Sequence, residues 1–279
     1  PPCALRYATC AQSHAPDRIS QIPSAMRTAT QQTLFSYVLR HADDCLILSQ
    51  RLGDLVSRAP ELEEDIALAN IALDILGTGR RLLQYAGEIE GEGRTEDDLA
   101  FGRSEREYTN LLLVETPNGD FGQTMARQFL FDTYQDLLLN RLTESSDETI
   151  SGIAGKARKE SSYHLRHSRL WVVRLGDGTE ESHRRMQAGL DDVWRFTGEL
   201  FIDDDVDRAA AEARYGVLPS SLRDDWHSMV MSVIDEATLE LPRDTSMRTG
   251  GRTGSHSEEM GPLLAEMQYM YRSFPGASW

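Results

Sequence analysis

Through almost the whole chain, apolar residues return at close to the 3.6-residue period of an α-helix, and this limits the fold more than any single motif. Between Gln31 and Ser57 they fall at Leu34, Tyr37, Val38, Cys45, Leu48, Leu52, Leu55 and Val56. Arg58-Ala59-Pro60 stops that helix, and Pro60 suits the first turn of the next. The second helix is predicted from Glu61 to about Glu90, with acidic residues where the helix dipole favours them. Its middle, Ile66 to Leu73, is apolar on nearly every side, as befits a central bundle helix.

A polar loop from Glu90 to Arg103 and a short helix lead to the turn Thr116-Pro117-Asn118-Gly119-Asp120. The third and fourth long helices are predicted over Phe121–Arg141 and Asp147–Leu175, the fourth ending at Gly176-Asp177-Gly178. Thr179 can cap a fifth helix to about Phe201, and Ser220 or Ser221 a sixth to about Leu241. A glycine-rich loop at 249–254 precedes a last helix, Glu258 to Arg272. Strand-like alternation is absent. The expected fold is therefore all-α: an up-down four-helix bundle with additional C-terminal helices, one domain over 26–279.

Composition narrows the partners. The 279 residues carry 45 Asp and Glu against 29 Lys and Arg, a net charge of −16, with no basic block. Nucleic acid and anionic membrane surfaces both require clustered cations, so neither is expected as a partner. No apolar run approaches the roughly 20 residues of a membrane span. Cys3, Cys10 and Cys45 form no Cys-x-x-Cys pair, so neither a disulfide framework nor a zinc site is indicated, and a cytoplasmic setting is expected. Residues 1–25, with four prolines and no sustained period, read as a disordered extension upstream of Met26, consistent with a misplaced start codon.

Di-iron carboxylate bundles use a Glu on each of two helices and a Glu-x-x-His on each of the other two. Here His164 stands in mid-helix, but three residues before it is Ser161; Glu160 lies one position too early. The intact Glu180-x-x-His183 and Asp224-x-x-His227 sit in first turns, where acidic residues serve the dipole and caps, so both read as surface features. Mid-helix carboxylates exist at Asp43 or Asp44, Asp74, Asp132 and Glu160, yet the second helix has no histidine. With one nitrogen ligand, a polar tie between Asp132 and His164 across the bundle is expected rather than a metal centre. Asp203, Asp205 and Asp207 imitate a calcium loop, but Arg208 and Arg214 replace its glycine and glutamate, leaving a solvated acidic connection. The loop Arg248 to His256 could hold an anion at the following helix start, or tie the last helix to a neighbouring chain; the tie is the simpler reading. Cys45 reads as a core residue.

Several runs resemble one family. Asp44-Cys45-Leu46, Leu48 to Gly53, Ala59 to Glu63, Ala67 to Ile71, Asn110 to Glu115, Pro117-Asn118-Gly119 and Tyr163 to Arg166 are similar to the C-component family of the multicomponent 1,2-phenylacetyl-CoA epoxidases, paralogues of the di-iron subunit. The closing runs Arg248 to Gly251 and Gly261 to Tyr269 are the most specific, and the likeness spans Met26 to Trp279. The resemblance implies a ferritin-like fold and a place in aerobic phenylacetate catabolism, as a non-catalytic structural subunit within a monooxygenase hetero-oligomer. Its implied partners are the catalytic di-iron subunit and the other subunits of the complex. It also implies that the di-iron centre belongs to that partner, so no catalytic, cofactor-binding or metal residue is assigned to this chain. Laid over it, the catalytic subunit's ligands fall near Cys45, near Leu76 and Gly79, on Asp132, and on Ser161 with His164. The alternative is a metal-dependent oxygenase using Asp44, Asp132, Glu160 and His164.

Overall fold

The computed structural model describes residues 24–242 and 246–277; the greater part of the expected 1–25 extension lies outside them, and Ser24 and Ala25 open the first helix. Four long helices carry the architecture: α1 (Ser24–Gly53), α2 (Leu62–Glu90), α5 (Phe121–Leu142) and α6 (Glu148–Gly176). Between the two pairs run the short helices α3 (Glu96–Phe101) and α4 (Leu112–Glu115). The chain then continues through α7 (Glu180–Trp194), α8 (Asp205–Glu212), α9 (Arg223–Glu236), α10 (Met260–Met267) and α11 (Tyr269–Ser273). No strand occurs among the described residues, and the fold is a ferritin-like helical bundle.

Local chemistry sets the boundaries. Asp120 accepts a hydrogen bond from the Gln123 amide and Asp147 from the Ile150 amide, so each caps the helix that follows. Gly91, at φ +71°, ends α2 in the left-handed conformation. α1 packs on α2 and α5 on α6 as antiparallel hairpins. Glu64 with His167, and Asp74 with His164, show α2 and α6 to be antiparallel too. Hence α5 runs in the same sense as α2, which the long crossover at 91–120 permits. One contiguous apolar core extends from Phe35 to Leu264, with α7 and α9 packed against α5 and α6.

The later helices depart from the sequence reading. The fifth helix ends at Trp194 and passes into a 3₁₀ turn, Thr197–Phe201. The sixth runs Arg223–Glu236, and neither Ser220 nor Ser221 caps it; Ser220 donates to Asp203 instead. The last helix breaks at Gln268, whose side chain donates to the Arg103 carbonyl and the Tyr108 hydroxyl. The acidic stretch after Ile202 is not a solvated connection. Asp204 and Asp207 form a capping box that starts α8, and buried Asp207 pairs with Arg40 at 2.9 Å. The missed signal was Asp204 with Asp207 three residues on, a capping-box spacing.

Candidate functional site

The four long helices meet around a small cavity at the middle of the bundle. α1 contributes Cys45; α2 contributes Asp74, Ile75 and Thr78; α5 contributes Phe131, Asp132 and Gln135; α6 contributes Glu160, Ser161 and His164. The cavity measures about 20 Å³, space for a single water-sized body.

The expected tie between Asp132 and His164 is absent. Asp132 accepts from the Gln128 amide and the Ser168 hydroxyl, each at 2.7 Å. His164 Nε2 instead lies 3.1 Å from Asp74 Oδ2. Geometry decides this: Gln128 is one turn before Asp132 on α5, and Ser168 is one turn after His164 on α6, so the nearer hydroxyl reaches Asp132 first. Ser168 and Thr78 were missed from sequence, although each stands four residues after a named candidate and so on the same helix face. Burial pushes the Asp132 carboxyl up to about 7 even though Ser168 and Gln128 favour the anion. Burial likewise holds His164 below the usual histidine range, against the pull of Asp74. Glu160, half-buried at the cavity edge, is raised by burial and by the Asp74 charge. The Ser161 hydroxyl is buried without a hydrogen-bond partner.

The α1 carboxylates turn away from this cavity. Asp43 pairs with Arg103 and accepts from the Thr109 amide at 2.9 Å. Asp44 accepts from the Leu111 amide at 2.8 Å and pairs with Arg252 at 2.7 Å. On α2 the cavity-facing pair three residues apart is Ile75 and Thr78. Leu76 points outward, and Gly79 packs against Cys45, where a Cβ would stand 3.0 Å from the Cys45 Cβ. Glu180 is exposed, and His183 Nδ1 meets the Gly176 carbonyl at 2.7 Å; Asp224 and His227 are exposed on α9.

The glycine loop is an internal brace. Gly250 donates its amide to Glu199, and Gly251 lies so close to Asn110 that a Cβ would stand 2.2 Å from its carbonyl oxygen. Arg252 is satisfied by Asp44 and by the Arg40 and Thr109 carbonyls, so it is not free for a phosphate. His256 and Ser257 reach across to the fully buried carboxylate of Glu115. The loop thus ties the C-terminal helices to α1 and the crossover of the same chain.

Two bridged metal ions stand about 3.5–4 Å apart and need several convergent carboxylates and imidazoles. Here Cys45, Ile75, Thr78 and Ser161 occupy lining positions, Asp132 is engaged by Gln128 and Ser168, and the space suits one water. No group of three or more His, Cys, Asp or Glu side chains among the described residues is placed to hold a metal. The donor set does not fit a di-iron centre.

A family model described as phenylacetic acid catabolic protein matches residues 19–279. The chain belongs to that family. Among its members, the C component of the Escherichia coli (strain K12) 1,2-phenylacetyl-CoA epoxidase is 52% identical over 246 residues, covering 88% of this chain and 99% of that protein. No helix among the described residues is long and apolar enough to cross a membrane.

Proposed function

We propose that the chain is the non-catalytic structural subunit of a multicomponent phenylacetyl-CoA 1,2-epoxidase, acting in phenylacetate catabolism in the cytoplasm and carrying no metal of its own. Its task is to dock against the di-iron catalytic subunit and hold that subunit's ligand-bearing helices in place, since ligands must be fixed to a fraction of an ångström by packed supporting residues. The observation that carries the reading is Ser161: where a Glu-x-x-His would supply a bridging carboxylate, the chain has a hydroxyl three residues before His164. The relative named as the C component of the epoxidase supports the assignment to this complex.

The test is metal content and stability together. The chain purified alone is expected to hold well under one iron per molecule, and its complex with the catalytic subunit to hold the iron of that partner. His164→Ala is expected to lower thermal stability and leave metal content unchanged. Two irons per molecule in the chain alone, lost on His164→Ala, would establish the opposing reading of an oxygenase built on Asp74, Asp132, Glu160 and His164.

A further inference from the structure

The outer surfaces of α2 and α6 form one continuous face whose chemistry is opposite to that of the molecule. On α2, Leu62, Ile66, Asn70, Leu73, Gly77 and Arg81 recur every three or four residues and all are exposed. On α6, Lys156, Lys159, Tyr163, Arg166, Leu170 and Arg174 do the same. The helices are joined along their seam by Glu64 with His167 and Trp171, and by Asp74 with His164, so the two stripes lie side by side. Neither stripe contains a carboxylate, although the chain has 45 acidic residues and a net charge of −16. Lys156 and Lys159 are the sole lysines of the chain.

The apolar groups stand among these cations. Leu62 is 70% exposed, Leu73 64% and Leu170 54%, far more than isolated surface leucines need be. Arg166 and Arg174 lie over the Tyr163 and Trp171 rings, which holds both guanidinium groups at the surface. Between the stripes, Leu73, Gly77, Arg81, Ile153 and Lys156 line a recess of about 100 Å³. A Cβ on Gly77 would meet nothing within 4 Å, so nothing in this chain requires glycine there. Spanning positions 62 to 81 at 1.5 Å per residue, the face is roughly 28 Å long and two helices wide. That is of the order of the ~800 Å² per partner in a specific interface.

We propose that this α2–α6 face is the docking surface for an acidic, helical protein surface that places an apolar side chain in the recess beside Gly77 and carboxylates against Lys156, Lys159 and Arg166. Charge complementarity selects the occupant: a chain of −16 repels nucleic acid and anionic membranes at long range, whereas a mixed apolar and basic stripe suits a protein with local carboxylates. The inference rests on the docking reading above and names the surface that docks, together with the partner's local chemistry.

The experiment measures association of the full chain with the purified di-iron subunit of the same epoxidase at low and high salt. Lys156→Glu/Lys159→Glu/Arg166→Glu is expected to slow association at least tenfold at low salt and to abolish its salt dependence. Gly77→Leu fills the recess while raising helix propensity, so it is expected to weaken binding tenfold or more without lowering thermal stability. Arg184→Glu/Arg185→Glu on α7 serves as the charge-matched control and is expected to bind as the unaltered chain does. If the unaltered chain binds and the α6 and Gly77 variants bind equally well, the face is overturned and the docking reading stands. Equal weakening by the α7 control overturns the face as well, because the effect is then one of general charge. Failure of the unaltered chain to bind overturns both.

Discussion

At the scale of single residues, Asp132 shows how a bundle interior treats a carboxyl that it no longer uses to hold metal. With its pKa raised to about 7, the folded state binds a proton that the unfolded chain, near 3.9, does not. Stability contributed by this group therefore grows as pH falls from 8 through 7 toward 4, and above 7 the buried anion is a cost. Asp132→Asn keeps an acceptor for Gln128 and offers a donor to Ser168. It is expected to stabilise the protein at pH 8 by on the order of 2–4 kcal/mol, the gain vanishing by about pH 5, as read from denaturant midpoints across pH. A flat difference across that range would show Asp132 to be uncharged for another reason. Glu115 is the opposite case, a buried anion surrounded by Asn110, His256 and Ser257. Burial alone would lower the His256 pKa, but the hydrogen bond and charge of Glu115 raise it. The stability that it adds is full below the ordinary histidine pKa and is lost as pH rises through the elevated one. Removing it as His256→Ala strands the carboxylate, with an expected loss of about 3–5 kcal/mol at pH 6 by chemical denaturation.

At the scale of elements, α1 faces two ways. Its Cys45 side looks into the bundle, while Arg40, Asp43 and Asp44 bind α8, the crossover and the C-terminal loop. These partners lie up to 208 residues away in sequence, which is why periodicity alone could not say which acid of the Asp43-Asp44 pair faced inward: both face out. The long helices were legible because four stretches repeat the helical period and end at Pro60, Asp120 and Gly176-Asp177-Gly178. The Ser161 substitution was legible too, since a spacing of three needs no tertiary information. Illegible were the partner of His164 and the register of α2, because Leu76 and Ile75 differ by one position in a helix apolar on nearly every side. Gly152 and Gly155 of α6 are exposed, and a Cβ on either would meet nothing within 4 Å. Gly152→Ala and Gly155→Ala are each expected to raise stability by about 0.5–1 kcal/mol, visible as a higher thermal midpoint. A drop in midpoint would mean that these positions pack against something within the chain.

For the whole molecule, the charge balance is the dominant field. A net charge of −16 opposes compaction, so moderate salt should relieve the repulsion among exposed carboxylates while leaving the buried pairs at Arg103 and Arg252 little affected. Raising ionic strength from about 10 mM to about 200 mM is expected to increase the thermal midpoint of the isolated chain; a decrease would place more weight on exposed ion pairs such as Arg169 with Glu236.

The brace formed by Arg252 and His256 has a consequence for synthesis. Asp44 and Glu115 emerge from the ribosome long before the cations that neutralise them, so the bundle made first holds two stranded charges until its tail arrives. A polypeptide cut short before position 252 would keep its four long helices and still fail to close, leaving cellular proteases to sort finished copies from unfinished ones before any assembly begins.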